Sequence, residues 1–442
     1  MIRRPLLEVV LVSLFAPAAL GQTTWVVDDN GTGDFVHIQG AVNAAQDGDV
    51  ISVLDGAYAG FTVNGKSLVL AGALGADVRV AAPVTVRNVA SGKKVELDNL
   101  RIGVTFADVV PTLTIENNPG SIRIVDCEIV GQYNEDAYYE KGTVRCQASM
   151  DVGVLRSTLT GFEAGFESFY YHAGLYAHSS NVVVTSSLLI GGEGAPYCGG
   201  GFGGPAVHLA QSSTLASFDT TFTGGPGGVN IGGFGCGTQA NGPQGFAVRT
   251  EAGSSLEWKS STFEGNPTFG AFTGPGTVAT TEIAAYCFGT WEECPCGNNG
   301  AATAGCETAY DSGGARLTAT GTSSVGGDTL TLVATGLRPD ATPTGLFFQG
   351  TAMLGGGMGA PFNDGLLCAT GTIRRLKGRL ASGGSVSFGF DVPGDMPVST
   401  RGQIPPAGGT YTYQLWFRHA APQYCTTARF HMSNALEITW LP

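Results

Sequence analysis

The chain has 442 residues, 68 of them glycine, only 13% charged side chains and a formal net charge of −13. An acidic chain excludes nucleic acid as a partner, because phosphate backbones are bound by clustered Lys and Arg. The charge is uneven, with net −16 over residues 22–309 and +2 over 310–442, which leaves neutral glycans, cations or plain solubility as its meaning.

In chain order, Arg3 and Arg4 precede an apolar run from Pro5 to Leu20, and Ala19-Leu20-Gly21 has the small-x-small form of a cleavage site. Residues 1–21 are therefore read as a secretory signal peptide, which places the mature protein outside the cytoplasm, secreted or at the cell surface. No later stretch approaches the ~20 apolar residues of a membrane helix, so no membrane span is expected in the mature chain. Next comes VVDDNGTGDFVHIQGAVNAAQDGD, residues 26–49. Ile38, Ala41, Val42 and Ala45 fall at i, i+3, i+4, i+7 and predict one amphipathic helix. Gly48 is expected to end it and Asp49 to open the next strand. Asp28-Asp29-Asn30-Gly31-Thr32-Gly33-Asp34 has the look of an acidic calcium loop, but Gln39 stands where a bidentate Glu belongs, and a simple turn explains the same residues.

Beyond this helix the chain repeats itself. VDCEIVG, LRSTLTG, TSSLLIG, FDTTFTG and SSTFEG end at Gly131, Gly161, Gly191, Gly224 and Gly265, in steps of 30, 30, 33 and 41 residues; looser copies end at Gly72 and Gly103. Nine residues before each glycine stand Ile122, Val152, Val182, Leu215 and Leu256, and two before stand Ile129, Leu159, Leu189, Phe222 and Phe263. Four before, the side chain is always small: Cys127, Ser157, Ser187, Thr220 and Ser261. Equivalent slots piled coil on coil are what a parallel β-solenoid requires, since no coil can bury its own core. A repeat near 30 residues suits a three-sheet right-handed β-helix; a propeller blade needs ~40 residues and four strands. The helix at 38–45 then serves as the lid on the first coil. GTGDFVHIQGAVNAA, residues 31–45, is similar to the GxGDFxxIQxAVxAA opening of pectinesterases and of many pectin-lyase-like right-handed β-helix proteins. The resemblance implies a fold over residues 22–285. It implies no reaction: the QAVAL, QDTLY, DFIFG and LGRPW motifs that carry pectinesterase catalysis are absent, so no catalytic residue is carried over.

Two polar, aromatic loops leave the same corner of adjacent coils, after Gly131 and after Gly161. They contain Tyr138 and Tyr139, then Glu163, Glu167, Tyr170, Tyr171 and His172. One reading makes them a glycan-binding face, with rings stacking on sugar C–H faces and carboxylates accepting hydroxyl hydrogen bonds or holding calcium. The other makes them ordinary loops whose rings pack on the solenoid wall. His172 and His178 lack a third ligand and make a poor metal site. The glycine runs at 199–204 and 224–228 are not phosphate loops, because no helix or Lys-Ser/Thr follows.

Ten cysteines in an exported chain predict disulfides. The expected pairs are Cys127–Cys146 within a coil, Cys198–Cys236 between loops and Cys368–Cys425 across the last domain. Cys287, Cys294, Cys296 and Cys306 are read as two bridges in a linker, residues 286–310, rather than a zinc site. Short alternating strands over residues 311–442 predict a C-terminal β-sandwich. Segments such as GLFFQG, PFNDGLLC and NALEITWLP resemble a C-terminal module of large exported bacterial proteins, a resemblance that implies no activity. Arg374, Arg375, Lys377 and Arg379 form a basic stretch that suits an acidic glycan or a solvated strand face.

The preferred reading is a secreted or surface-displayed β-helix protein without catalysis, binding polysaccharide or serving as an adhesive or structural rod, with calcium as its only conceivable cofactor. The alternative is a polysaccharide lyase or esterase working from the 133–172 loops.

Overall fold

The structure is a computed structural model. It describes residues 22–103, 111–131, 142–162, 172–195, 201–229, 241–259, 261–268, 270–280, 282–289, 294–301, 303–308, 313–339, 342–418, 426 and 429–442. The described strands from Thr24–Val27 to Thr277–Thr280 wind into a parallel β-helix with three strand-bearing faces. Face 1 runs from Thr24–Val27 through Val50–Val53, Leu68–Gly72 and Lys94–Asp98 to Thr277–Thr280. Face 2 includes Val84–Arg87, Ala173–His178, Val207–Ala210 and Val248–Thr250. Face 3 runs from Gly56–Tyr58 to Thr262–Glu264. The long strands Leu113–Val125 and Gly142–Leu155 turn the corner from face 2 to face 1, with a shift of register between Asn118 and Ser121 at the bend.

The expected columns are present. Ile129 pairs with Leu159, then Leu189, Phe222 and Phe263 follow in register, and the first four are wholly buried. Ile122, Val152, Val182, Leu215 and Leu256 form the matching column on face 1, each no more than 2% exposed. Every such side chain removed from water contributes about 1.5–3 kcal/mol.

The small slot has a second reason beyond volume. Asp126, Arg156, Ser186 and Asp219 bend the chain between faces 1 and 3 with φ between +45° and +47°, a conformation that costs about 1–2 kcal/mol for a residue with a Cβ. The next residue repairs the corner. Ser157 Oγ donates to Leu155 O (2.7 Å) and accepts from the Cys127 N–H of the coil before (3.0 Å). Ser187 and Ser261 serve Ser157 and Thr220 in the same way. A second ladder, Ser149–Ser180–Ser213–Ser254, runs up the corner between faces 2 and 1.

The lid is helix α1, Ile38–Ala44, with Ile38, Ala41 and Val42 buried over the first coil. It stops before the expected Gly48, because Ala45 leaves helical geometry and Lys66 takes over the orphaned carbonyls. The ammonium donates to Val42, Asn43 and Ala45 at 2.7, 2.9 and 2.7 Å, which also places a cation at the negative end of the helix. Gly48 instead sits in the following turn at φ +93°.

The glycine runs form a structure of their own. Between faces 3 and 2, four extended segments lie side by side. Gly192 N–H donates to His172 O, Gly204 to Gly192, Gly225 to Gly204 and Gly245 to Gly225, each at 2.8 Å. A parallel chain joins Ala195, Gly201, Gly228 and Gly242, again at 2.8 Å. Pairing glycines recur every third residue, at 201/204, 225/228 and 242/245, which is the period of polyproline II. None of them has positive φ. They are glycine because a Cβ at Gly192, Gly204 or Gly225 would lie 1.8, 2.2 or 2.0 Å from a neighbouring carbonyl oxygen.

The C-terminal part is antiparallel. A five-stranded sheet is ordered Ile283–Tyr286, Phe430–Trp440, Gly409–Arg418, Thr344–Gly350, Arg374–Leu380, and a three-stranded sheet holds Arg316–Thr320, Thr331–Thr335 and Val386–Gly389. Both contribute to one apolar cluster that includes Leu317, Leu332, Phe347, Phe388, Tyr413 and Ile438. This unit lies on the outer side of face 1. Lys259 Nζ meets Glu437 Oε2 at 3.0 Å, Phe218 stacks on Tyr286 at 5.9 Å, and Asn299 donates to Glu96. Arg123, pointing outward from face 1, is fully buried and paired with Asp151 at 2.9 Å.

Three disulfide expectations are overturned, the third being the two bridges confined to the linker, since Cys287 leaves it to pair with Cys368. Cys127 and Cys146 are free, buried thiols. Cys127 occupies the small slot at the corner between faces 1 and 3, while Cys146 stands in the inward row Ile115–Cys146–Ala177–Leu209 of face 2. They are near in sequence but belong to different walls, and burial pushes both thiols up to about 12. Cys368 pairs with Cys287 rather than Cys425. Cys287 directly follows the strand Ile283–Tyr286, so the bridge fastens the end of that edge strand to the segment around Cys368, between the short strands Gly365–Leu367 and Ala369–Thr370. Within the linker Cys294 joins Cys306, and Cys296 is also disulfide-bonded. Cys198, Cys236 and Cys425 lie outside the described residues.

Candidate functional site

Each face of the helix offers its outward side chains to a different environment. Face 1 is covered by the C-terminal unit. Face 3 presents the row Arg79–Arg101–Glu128–Thr158–Leu188–Thr221, whose charged end is paired internally, Arg101 with Glu128 and Asp77, and whose remainder is threonine and aliphatic. Face 2 concentrates polar and aromatic groups.

Strand alternation dictates which residues those are. With Val144, Leu175, Val207 and Val248 buried inward, the next residue of each strand points out. The outward row is Thr114–Arg145–Tyr176–His208–Arg249–Thr273, in register across successive coils. Beside it runs Arg87–Glu116–Gln147–His178. Neighbours in a row are about 4.8 Å apart. Arg145 donates to Gln147 Oε1 at 2.6 Å. Tyr176 meets His208 edge-to-face at 5.1 Å and lies 6.4 Å from His178. His208, only 2% exposed, has Glu251 Oε1 at 3.4 Å from Nε2. Nδ1 of His178 is buried and has no hydrogen-bond partner among the described residues. The glycine-segment bundle flanks this face, since its strands enter face 2 at Val207 and Val248.

Among the described residues of this face, Glu116 and Glu251 sit four strand spacings apart, about 19 Å, beyond the ~5–9.5 Å that paired carboxylates span in glycoside hydrolysis. What the row supplies is guanidinium, imidazole, phenol and amide groups in a line parallel to the helix axis, suited to hydrogen-bonding and stacking along a polymer.

Of the residues singled out from sequence, Tyr138, Tyr139, Glu163, Glu167, Tyr170 and Tyr171 lie outside the described residues. The segments that hold them lead into Gly142 and Ala173, the strands of Arg145 and Tyr176. His172 is 2% exposed, packs edge-to-face on Phe162 at 5.4 Å, and offers its carbonyl to Gly192; its ring is part of the wall. His178 does face outward, beside Tyr176. Sequence reading missed Arg145, Gln147, Tyr176, His208 and Arg249, whose row appears only once the coils are set in register. The acidic loop at 28–34 is turned on itself: Asp28 accepts from the Thr32 hydroxyl and from Asn30, and Asp34 caps Val26 N–H. The Thr32 hydrogen bond, then that of Asn30, holds the Asp28 carboxyl below its usual range.

No protein-family model and no curated relative matches the chain. Among solved structures, similarity is found to pectate lyase Pel9A, at 10% identity and TM-score 0.31 over 58% of this chain and 78% of that one. A pectin methylesterase from Aspergillus niger is similar at 13% identity and TM-score 0.24, over 60% and 86%. Tailspike protein 4 of bacteriophage CBA120 is similar at 10% and 0.18, over 89% and 62%. The fold of this chain is defined by its own strand registers.

Proposed function

We propose that the protein is an exported polysaccharide-binding β-helix, with face 2 as its binding surface and no catalytic step. The observation that supports this is the straight row Arg145–Tyr176–His208–Arg249 on the polar face that the C-terminal unit leaves uncovered, with Arg145, Tyr176 and Arg249 partly exposed and the buried His208 ring supporting Tyr176. A row of groups at a constant repeat suits a linear ligand better than a small molecule. The disulfides Cys287–Cys368 and Cys294–Cys306 support the exported location, and residues 1–21 supply its signal.

One observation favours a second reading. Tyr176 and His178 stand between Arg145 and Arg249, and a uronate polymer held by the arginines would place a ring proton before a phenol or imidazole base, as β-elimination needs. Affinity electrophoresis on a polysaccharide panel, with and without calcium, decides between them. Binding is expected to weaken about tenfold or more in the Tyr176→Ala/His178→Ala variant, equivalent to ~1.4 kcal/mol, with no product released. Retention unchanged in the variant removes the proposal, and unsaturated products or new reducing ends convert it to the lyase reading.

A further inference from the structure

The strand Arg374–Leu380 at the free edge of the C-terminal sheet carries four cations, and the structure divides them into two pairs with different fates. Lys377 and Arg379 both reach Asp395, whose side chain is fully buried, with Lys377 Nζ at 3.4 Å. One buried carboxylate explains that pair as structural. The ladder with Thr344–Gly350 shifts register between Arg375 and Lys377. This bulge breaks the alternation that would otherwise send Arg375 the same way as Lys377 and Arg379.

Arg374 and Arg375 instead turn to a surface concavity of about 810 Å³, lined also by Ile373, Met396, Thr400, Arg401 and Gln403. Arg401 comes from helix α2, Val398–Gly402. Its Nε donates to Leu376 O at 2.6 Å, which fixes the guanidinium beside the strand and leaves its two terminal nitrogens for another acceptor. Among the described residues no carboxylate forms an ion pair with Arg374, Arg375 or Arg401. Three guanidinium groups with no ion-pair partner among the described residues thus line one hollow, in a chain whose net charge is −13. Ile373 and Met396, 49% and 51% exposed, supply an apolar rim.

We propose that this hollow is an anion-binding subsite for a glycan bearing isolated sulfate or carboxylate groups. Planar guanidinium forks match such oxyanions with paired hydrogen bonds, and the apolar rim suits the C–H face of the attached sugar. A continuous polyanion such as nucleic acid is disfavoured by the acidity of the rest of the chain. The site lies on the C-terminal unit and does not depend on the reading of face 2.

The test is affinity electrophoresis of the full chain at low salt on a sparsely sulfated dextran, a highly methyl-esterified polygalacturonate and unmodified dextran, with phosphatidylglycerol vesicles as a further arm. Retention on one or both charged glycans is expected, and the responding arm identifies sulfate or carboxylate. Arg374→Glu/Arg375→Glu should weaken it about tenfold or more, while Tyr176→Ala/His178→Ala should leave a charged-glycan component that the arginine variant lacks. Arg375→Glu alone, at an exposed position, serves if the double variant melts early. Equal retention of wild type and the Arg375 variant, no retention on either charged glycan, or binding to vesicles alone would overturn the proposal.

Discussion

At the scale of single residues, Asp49 shows how much one carboxylate can organise. It is almost fully buried, and burial alone would raise its pKa. Hydrogen bonds from the N–H groups of Gln46 and Thr23 and from the Trp25 indole outweigh that and hold it below 3.8. Asp47 is lowered in the same region by Lys93 and the Ser67 N–H. A carboxylate whose folded pKa is depressed stabilises the fold above its unfolded pKa, and that contribution is lost as pH falls through the folded value. The melting temperature is therefore expected to hold from neutral pH down to about 5 and to drop below about 4, and Asp49→Asn should melt lower at neutral pH with a shallower acid decline. A circular-dichroism melt series from pH 7 to pH 3 checks both. A wild-type melting temperature indifferent to acid would show that these carboxylates contribute little.

At the scale of elements, the glycine segments and the strands were unequally legible in the sequence. Inward slots such as Ile129, Leu159 and Leu189 are constrained by packing against an identical neighbour one coil away, so the pattern repeats visibly and the column can be read in advance. The α1 stripe was legible for the same reason. Arg145, Tyr176 and Arg249 obey no such constraint, because outward residues need only tolerate water or a ligand, and their row emerges only when register is known. Cysteine pairing failed for a related reason: Cys127 and Cys146 are close along the chain but face the interior from different walls. The glycine bundle was missed because an extended segment without an apolar side has no hydrophobic period; its signal is glycine recurring at every third position. Gly225→Ala should cost about 2–3 kcal/mol, because the added methyl would fall 2.0 Å from Gly192 O. Gly378→Ala, with open space around its Cβ position, should be near neutral. Paired denaturant melts would measure the difference, and equal stabilities would mean that the bundle yields easily.

At the scale of the whole molecule, the two units are joined more firmly than a linker would suggest. The strand Ile283–Tyr286 follows the last coil directly and hydrogen-bonds in the C-terminal sheet, the Cys287–Cys368 bridge ties its end to a neighbouring segment of the C-terminal unit, and Lys259 crosses to Glu437. Closing a loop of 81 residues by that bridge contributes about 4–5 kcal/mol in the chain-entropy account. The C-terminal unit thereby occupies face 1 and leaves face 2 and the arginine hollow on surfaces of their own.

The lid has a consequence for self-association. A β-helix ends in strands with unsatisfied backbone groups, and an open end is a template for another copy. Here α1 and Thr24–Val27 cover the front, while Trp258, Phe263 and Phe272 crowd together at the back, with ring centroids 4.9 Å apart. A chain starting at Val50 would bare Ile51 and Val53 together with their strand edge, and should grow head-on into oligomers or filaments visible by light scattering and electron microscopy. A truncated chain that stays monomeric would mean that the stopper is dispensable and the coils end themselves.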